Sequence, residues 1–257
     1  MSKKRLTALL VCIAVAIAGL GYLIYYYADL NNKSKIYNTL RQVVESETGS
    51  RQSQPSSGDL SSSPFAPAVS VDFAALQKKN RDIYAWIKIP DTVVDYPVAQ
   101  SATDQSYYLN HTIEGKSGYP GSIYTENFNK KDFSDFNTII YGHDMKNGSM
   151  FGSLNKYRDA SYLNKHREIL IETPSGERIY KIFAAVVYSN AYLPQKFDFS
   201  VESGRKAFLD SIFDNRDMNS QILKDISVGT DSKILTLSTC VGGQPNNRYL
   251  IEAVYTG

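Results

Sequence analysis

The hydrophobic pattern of the chain opens on one long apolar run, residues 6–28, which holds 23 residues and no charge. At a rise of about 1.5 Å per residue, a helix of this length crosses a hydrocarbon core of about 30 Å. Four tyrosines near its far end suit a membrane interface. We therefore expect an uncleaved transmembrane anchor over residues 6–28, with a cleaved signal peptide, whose apolar part is usually shorter, as the alternative.

The flanks of this run predict its orientation. Lys3, Lys4 and Arg5 precede it, and basic residues are retained on the cytoplasmic side of a membrane. Residues 1–5 are accordingly expected to form a cytoplasmic tail. The rest of the chain would lie outside the cell, held to the cell membrane by a single span.

Residues 29–68 follow a different pattern, in which polar positions dominate. Scattered apolar residues over 31–47 predict a short membrane-proximal helix. Residues 48–68 are rich in Ser, Pro and Gly, and such a segment buries too little apolar surface to offset its ordering entropy. We interpret them as a flexible tether.

A third pattern, short β-type runs separated by turn residues, fills residues 69–257 and predicts one folded domain. Asp72 is a candidate cap for a helix carrying Phe73, Leu76 and Ile83. Eight runs point to a mainly β fold, an eight-stranded closed or nearly closed barrel. Helical patterns over 150–166 and 203–214 flank it, and "PSG" at 174–176 predicts a tight hairpin. The runs span residues 86–89, 95–99, 122–126, 138–143, 168–173, 178–189, 234–239 and 248–254.

Charge and motif content exclude several classes of function. The formal net charge is +2, and the basic residues are spread along the chain rather than gathered into a stripe that would follow phosphates. We therefore expect no nucleic-acid partner. Zinc-binding, EF-hand and P-loop spacings are missing from the sequence, so we expect no metal and no cofactor.

The two cysteines differ in context. Cys12 falls inside the predicted anchor, where it serves as a small apolar residue, so Cys240 would be the single exported thiol. A lone exported cysteine suggests an intermolecular bridge or a reactive thiol. The alternative is an inert, buried side chain at a strand end.

His143 and Arg248 are the candidate partners of this thiol. His143 follows an apolar β-run and opens a loop, while His111 and His166 have contexts that favour structural roles. Arg248 begins the last run, joined to Cys240 by the loop "VGGQPNN". If the two strands pair antiparallel, Cys240 and Arg248 flank one loop mouth. Taken alone, Arg248 would be read as a surface charge.

Together these three side chains suit acyl transfer through a thioester. A thiolate attacks carbonyl carbon, an imidazole protonates a leaving amine, and a guanidinium stabilises the developing oxyanion. Neighbouring cationic groups also raise the thiolate fraction of a cysteine.

The motifs "TLSTC" (236–240), Arg248 and "IIYGHDM" around His143 resemble the sortase signature, and the order of anchor, tether, His, Cys and Arg is similar too. The resemblance covers residues 69–257 and is strongest to class B sortases. It implies a sortase-type barrel and a Gram-positive cysteine transpeptidase. By position, Cys240 matches the nucleophile, His143 the general acid and base, and Arg248 the residue that supports substrate and oxyanion.

The resemblance also implies partners and a substrate pocket. The partners would be surface proteins that carry a C-terminal sorting signal and an amine of the peptidoglycan. Pocket residues implied by position are Gln105, Leu109, Tyr192, Leu193, Ser238 and Thr239, with core or loop packing as the alternative for each. Three other functions remain open at this point: a pilin-polymerising sortase, a thiol hydrolase of the wall, and a non-catalytic anchored adhesin or scaffold.

Overall fold

The computed structural model describes residues 3–50 and 71–257 and places nine strands in one sheet. The strands are β1 Ile83–Lys88, β2 Asp95–Ala99, β3 Ile123–Thr125, β4 Asn137–Tyr141, β5 Glu168–Thr173, β6 Gly176–Ser189, β7 Gln221–Ile222, β8 Ile234–Val241 and β9 Gln244–Tyr255. Eight of them pair in the order β5, β1, β2, β3, β4, β8, β9, β6, and β6 pairs again with β5. The ring therefore closes into the predicted eight-stranded barrel, and β7 pairs with β6 outside the ring.

Each of the eight predicted β-runs forms one strand of the ring. The hairpin at 174–176 is confirmed, because Thr173 pairs with Gly176 at the end of the β5–β6 ladder. Parallel pairs join β2 to β3 and β4 to β8, and the remaining pairs of the ring are antiparallel.

Helices flank the barrel, as predicted. They are α1 Lys3–Ser50, α2 Phe73–Lys79, α3 Ala160–Lys165, α4 Leu193–Lys196 and α5 Glu202–Phe213, with 3-10 helices at Tyr107–Leu109 and Gly152–Arg158. Asp72 caps α2 by accepting a hydrogen bond from the N–H of Ala75.

Three boundaries differ from the sequence-based expectation. Ile83 was expected on the helix after Asp72, but α2 ends at Lys79 and Ile83 begins β1. The helix expected over 150–166 is two pieces, since Asp159 accepts hydrogen bonds from the N–H groups of Ser161 and Tyr162 and starts α3 afresh. The predicted loop "VGGQPNN" is mostly strand, so residues 242 and 243 alone connect β8 to β9.

The membrane-proximal part of α1 packs on the barrel. One helix, Lys3–Gln42, is long and apolar enough to span a membrane, with a mean hydropathy of 2.4 in its most apolar window. Further along the same helix, four side chains are buried against the domain: Ile36, Tyr37, Leu40 and Val44. The expected tether over 48–68 lies outside the described residues, except for its first three positions, which end α1.

Two apolar clusters cover the two faces of the sheet. One fills the barrel and includes Leu237 and Ile251, while the other lies on the outer face beneath α5 and includes Ile139, Phe208 and Leu250. Because side chains alternate along a strand, residues 236, 238 and 240 of β8 share the outer face. The outer cluster thus covers one end of that face and leaves the other end, at Cys240, open.

Candidate active site

Cys240 and Arg248 lie side by side where β8 and β9 approach their turn. The two residues are direct partners in the antiparallel ladder, a position in which Cβ atoms are about 5 Å apart. The Cys240 side chain is exposed and its thiol is free, so the alternative of a buried cysteine at a strand end is wrong. Cys240 and Arg248 are neighbours, as the sequence predicts. The connection between their strands is two residues long, shorter than the predicted loop.

His143 reaches the same end of the sheet from β4. It stands two residues beyond Tyr141, the last residue of that strand, and β4 pairs in parallel with β8. The imidazole Nε2 lies 2.7 Å from the carbonyl oxygen of Leu109. A carbonyl oxygen only accepts, so Nε2 carries a hydrogen and Nδ1 is the nitrogen that gains or loses a proton.

These three side chains border one cavity of about 230 Å³. Five of the six residues expected to contact substrate also line it: Leu109, Tyr192, Leu193, Ser238 and Thr239. Gln105 is exposed in the turn before the first 3-10 helix and is not among the lining residues. Neither His111 nor His166 lines the cavity; His111 stacks on Tyr107 with 4.1 Å between ring centroids.

Backbone contacts hold the guanidinium of Arg248. Its Nη1 donates to the carbonyl oxygens of Pro245 at 3.2 Å and Asn247 at 2.9 Å. Among the described residues these are the hydrogen bonds that the guanidinium makes, which leaves Nε and Nη2 available to an oxygen in the cavity. An arginine fixed in this way is pre-organised to meet negative charge.

Asp144 connects the histidine loop to the turn after the cysteine. Its carboxylate accepts from Asn155 Nδ2 at 2.9 Å and from the backbone N–H of Gly242. Burial raises the pKa of Asp144, while the bond from Asn155 opposes that rise. The residue after His143 is thus linked to the turn two residues beyond Cys240 through a side chain that does not line the cavity.

Two tyrosines of β3 and β4 form part of the cavity wall, and a glutamate follows the last residue of β3. Tyr124 and Tyr141 are paired on β3 and β4 and stack with ring centroids 5.4 Å apart, and both line the cavity. Burial raises the pKa of each, so both phenols remain neutral. Burial also raises the pKa of Glu126, opposed by hydrogen bonds from Tyr192 and Tyr141.

Sequence reasoning missed much of this wall. Tyr124, Ile139, Tyr141 and Leu250 line the cavity, but the sequence analysis assigned them no role, although Ile139 and Tyr141 lie within the motif "IIYGHDM". The useful signal would have been the alternation of side chains along a strand, since Tyr141 lies two residues before His143 and Leu250 two residues after Arg248. Within residues 3–50 and 71–257, no group of three or more His, Cys, Asp or Glu side chains is arranged to hold a metal ion.

Comparisons with known proteins agree with this geometry. The family model described as the sortase domain matches residues 87–256. A sortase B of Listeria monocytogenes is 35% identical over 165 residues, which cover 64% of this chain and 65% of the relative. A sortase B of Staphylococcus aureus is 28% identical over 93% of this chain and 90% of the relative.

A solved structure shows the same fold. The Staphylococcus aureus sortase B–substrate complex superposes with a TM-score of 0.71 at 27% identity, covering 88% of this chain and 97% of that one. The family match extends over more than half of the chain and includes Cys240, His143 and Arg248. This chain therefore belongs to the sortase family of cell-wall transpeptidases, and its relatives place it in class B.

Proposed function

We propose that this chain cleaves the C-terminal sorting signal of surface proteins through a thioester at Cys240 and transfers the acyl group to a peptidoglycan amine. The observation that supports it most is the convergence of Cys240, His143 and Arg248 on one cavity in a sortase-family barrel. Hydrogen bonds hold His143 and Arg248 in place. His143 is suited to proton transfer, and Arg248 is suited to stabilising the oxyanion.

The first half of the reaction forms the thioester. The Cys240 thiolate attacks the carbonyl carbon of the scissile peptide bond, and the oxygen gains negative charge that Arg248 stabilises through its free N–H groups. His143 donates the Nδ1 proton to the leaving nitrogen as the C–N bond breaks. Nε2 keeps its bond to Leu109 throughout, so the ring holds its orientation.

The second half transfers the acyl group. The amine attacks the thioester carbonyl, Nδ1 of His143 takes the proton that the amine loses, and Cys240 leaves as a thiolate. Each group returns to its starting state. Arg248 faces the same oxyanion in both halves, because the same carbonyl oxygen becomes charged twice.

The residues around the reactive groups would hold the peptide. Leu109, Tyr192 and Leu193 offer apolar area, and Ser238 offers a hydroxyl two residues before Cys240 on the same strand. The buried hydroxyl of Thr239 has no hydrogen-bond partner among the described residues. Gln105 would contact the peptide only where it extends past the cavity.

The membrane topology belongs to the same proposal. The span over residues 6–28 would leave residues 1–5 in the cytoplasm and the barrel outside, where surface proteins and peptidoglycan meet. A cysteine-accessibility experiment on intact cells, with a membrane-impermeant thiol reagent, tests the orientation. Labelling of Cys240 in intact cells is expected, and labelling only after lysis would contradict it.

The reaction is tested with full-length protein in detergent and a library of sorting-signal peptides. Cleavage with an added glycine peptide should give an amide product that joins the acyl fragment to the amine. If the only product is the acid formed by hydrolysis, in the same amount with and without the amine, the protein is instead a hydrolase. Transfer only to a lysine side chain within a pilin-type peptide would indicate pilin polymerisation. Cys240→Ala should remove every product.

A further inference from the structure

The membrane-proximal helix contacts the segment that supports His143. Tyr37 of α1 is buried, and its hydroxyl donates to the carbonyl oxygen of Gly121 and lies 3.2 Å from Ser122 Oγ. Burial raises the pKa of Tyr37 to about 12, so the phenol keeps its proton and remains a donor. Lys33, one turn earlier on the helix, donates to the carbonyl oxygen of Ser117 at 2.8 Å. Both ends of residues 117–122 are therefore bonded to α1.

The same segment lies directly against the catalytic histidine. The Tyr119 ring centroid is 4.8 Å from that of His143. Gly121 has a positive φ of 62°, and a Cβ on it would lie 2.6 Å from the carbonyl oxygen of Leu109 and 3.2 Å from Cδ2 of His143. A glycine is required here because the backbone fills the space beside the imidazole and beside its hydrogen-bond acceptor.

Further hydrogen bonds join this segment to the acceptor of His143. The N–H of Ser122 donates to the carbonyl oxygen of Tyr108 at 2.9 Å, and Ser122 Oγ donates to that of His111 at 2.9 Å. Leu109, which accepts from His143 Nε2, lies between these two residues. A shift of residues 121 and 122 would therefore move both the oxygen that orients the imidazole and the backbone that packs on the ring.

We propose that Tyr37 is a positioning residue for catalysis: through Gly121 and Ser122 it fixes the orientation of the His143 imidazole, so the membrane-proximal helix completes the active site. This rests on the proposed role of His143 and adds a requirement for α1. No described residue of α1 lines the cavity. The helix acts through the hydrogen bond from Tyr37 to the Gly121 carbonyl oxygen. A chain shortened to the barrel alone would lack this hydrogen bond.

The test replaces the hydroxyl and keeps the ring. Tyr37→Phe removes the hydrogen bond to Gly121 and the 3.2 Å contact with Ser122 Oγ, but it retains the edge-on packing against Tyr96, whose centroid is 5.7 Å away. Tyr84→Phe is the matched control, because it also removes a buried hydroxyl, bonded to Thr125 Oγ1 at 2.9 Å, away from residues 117–122. Full-length protein in detergent carries Cys12→Ser in every variant, so that Cys240 is the single thiol.

The first readout needs no substrate. The rate of alkylation of Cys240 by iodoacetamide at neutral pH depends on a nearby imidazolium, which raises the thiolate fraction. Tyr37→Phe should slow it about fivefold, the population change that corresponds to one lost hydrogen bond. Tyr84→Phe should leave it unchanged. The second readout is the ring resonance of His143 in histidine-labelled protein, which should shift in Tyr37→Phe while that of His166 stays in place.

The outcomes separate this inference from the proposed function. If His143→Ala slows alkylation but Tyr37→Phe neither slows it nor moves the His143 resonance, the positioning role is wrong and the proposed function stands. If His143→Ala itself has no effect on alkylation, the role of His143 is wrong. Should Tyr37→Phe fold poorly, Tyr37→Met, which also lacks the hydroxyl, takes its place, and an unmoved His143 resonance there overturns the proposal equally.

Discussion

Two residue pairs on the same face of strands β8 and β9 differ in their exposure. Cys240 pairs with Arg248, and Thr236 pairs with Glu252 four residues along each strand. The first pair borders an open cavity, whereas Thr236 and Glu252 are fully buried beneath the outer apolar cluster. Position along the strand relative to that cover, more than residue type, decides which polar groups are available for chemistry.

Burial changes the chemistry of the second pair. Thr236 Oγ1 lies 2.9 Å from Asn137 Oδ1 and 2.7 Å from Glu252 Oε2, and a hydroxyl has one hydrogen to give. Burial raises the pKa of Glu252 to about 8, so at neutral pH the carboxyl itself supplies the second hydrogen. The pair is a neutral structural element, whereas Cys240 and Arg248 at the open end border the cavity.

The largest effect is expected at the open end. His143→Ala should lower kcat/KM for a cleaved sorting peptide about 10³-fold, because the leaving amine loses its proton donor. Stopped assays of peptide cleavage measure this. Thr236→Ala, on the same sheet face but covered, should change kcat/KM less than twofold. A similar loss of kcat/KM in both variants would show that the open end and the covered end of this sheet face do not differ in their importance for catalysis.

Arg248→Gln should have the next largest effect. Removing the charge that faces the oxyanion should lower kcat about 10²-fold, with less change in KM. Arg248→Lys should recover part of the loss, since a lysine keeps the charge but not the forked geometry. A rise in KM with kcat intact would instead assign Arg248 to substrate binding alone.

The buried pair should affect stability, not turnover. The pKa of Glu252 is raised on folding, so its neutral form stabilises the fold and this contribution is lost as pH rises from the unfolded value of about 4.3 towards about 8. Raising the pH from about 5 to about 8 should lower the free energy of unfolding of both proteins. The decrease should be about 3 kcal/mol smaller for Glu252→Gln than for the parent chain. Denaturant titrations at both pH values measure the difference. Parallel curves would mean that Glu252 is not held neutral.

Tyr192 offers the smallest expected change. Its hydroxyl donates to Glu126 Oε2 at 2.6 Å across the cavity wall, and it holds the segment before α4 in place. Tyr192→Phe should raise KM about fivefold, as for one lost hydrogen bond, and leave kcat near its original value. Tyr255→Phe, at the exposed end of β9, is the control. A large fall in kcat would place Tyr192 among the reacting groups.

Local pattern was sufficient for the barrel strands and for selecting three side chains that border one cavity. Alternating β-type runs are long enough to mark each strand of the ring, and the order of His143, Cys240 and Arg248 is a specific signal. Strand β7 has two residues and left no pattern. The "VGGQPNN" connection was called a loop because Gly, Pro and Asn are depleted in strands, yet pairing with β6, as at Asn247 and Ser189, keeps that backbone extended.

Tertiary pairing explains what the sequence did not reveal about the site. Tyr124 and Tyr141 meet because β3 and β4 pair, and the contact of Tyr37 with Gly121 joins residues 84 positions apart. The helical spacing of Ile36, Leu40 and Val44 was visible in the sequence, but the surface that it covers was not. Such contacts depend on the whole fold, so no local sequence motif predicts them.

The central claim is that Cys240 carries the acyl group, and intact-mass spectrometry of the reacting protein tests it most directly. Full-length protein mixed with a cleaved sorting peptide, with no amine added, should gain the mass of the acyl fragment. The adduct should map to the Cys240 peptide and be released by hydroxylamine. Cys240→Ala should show neither adduct nor cleavage. Peptide cleavage by Cys240→Ala, or turnover by the parent chain with no adduct on Cys240, would contradict the claim.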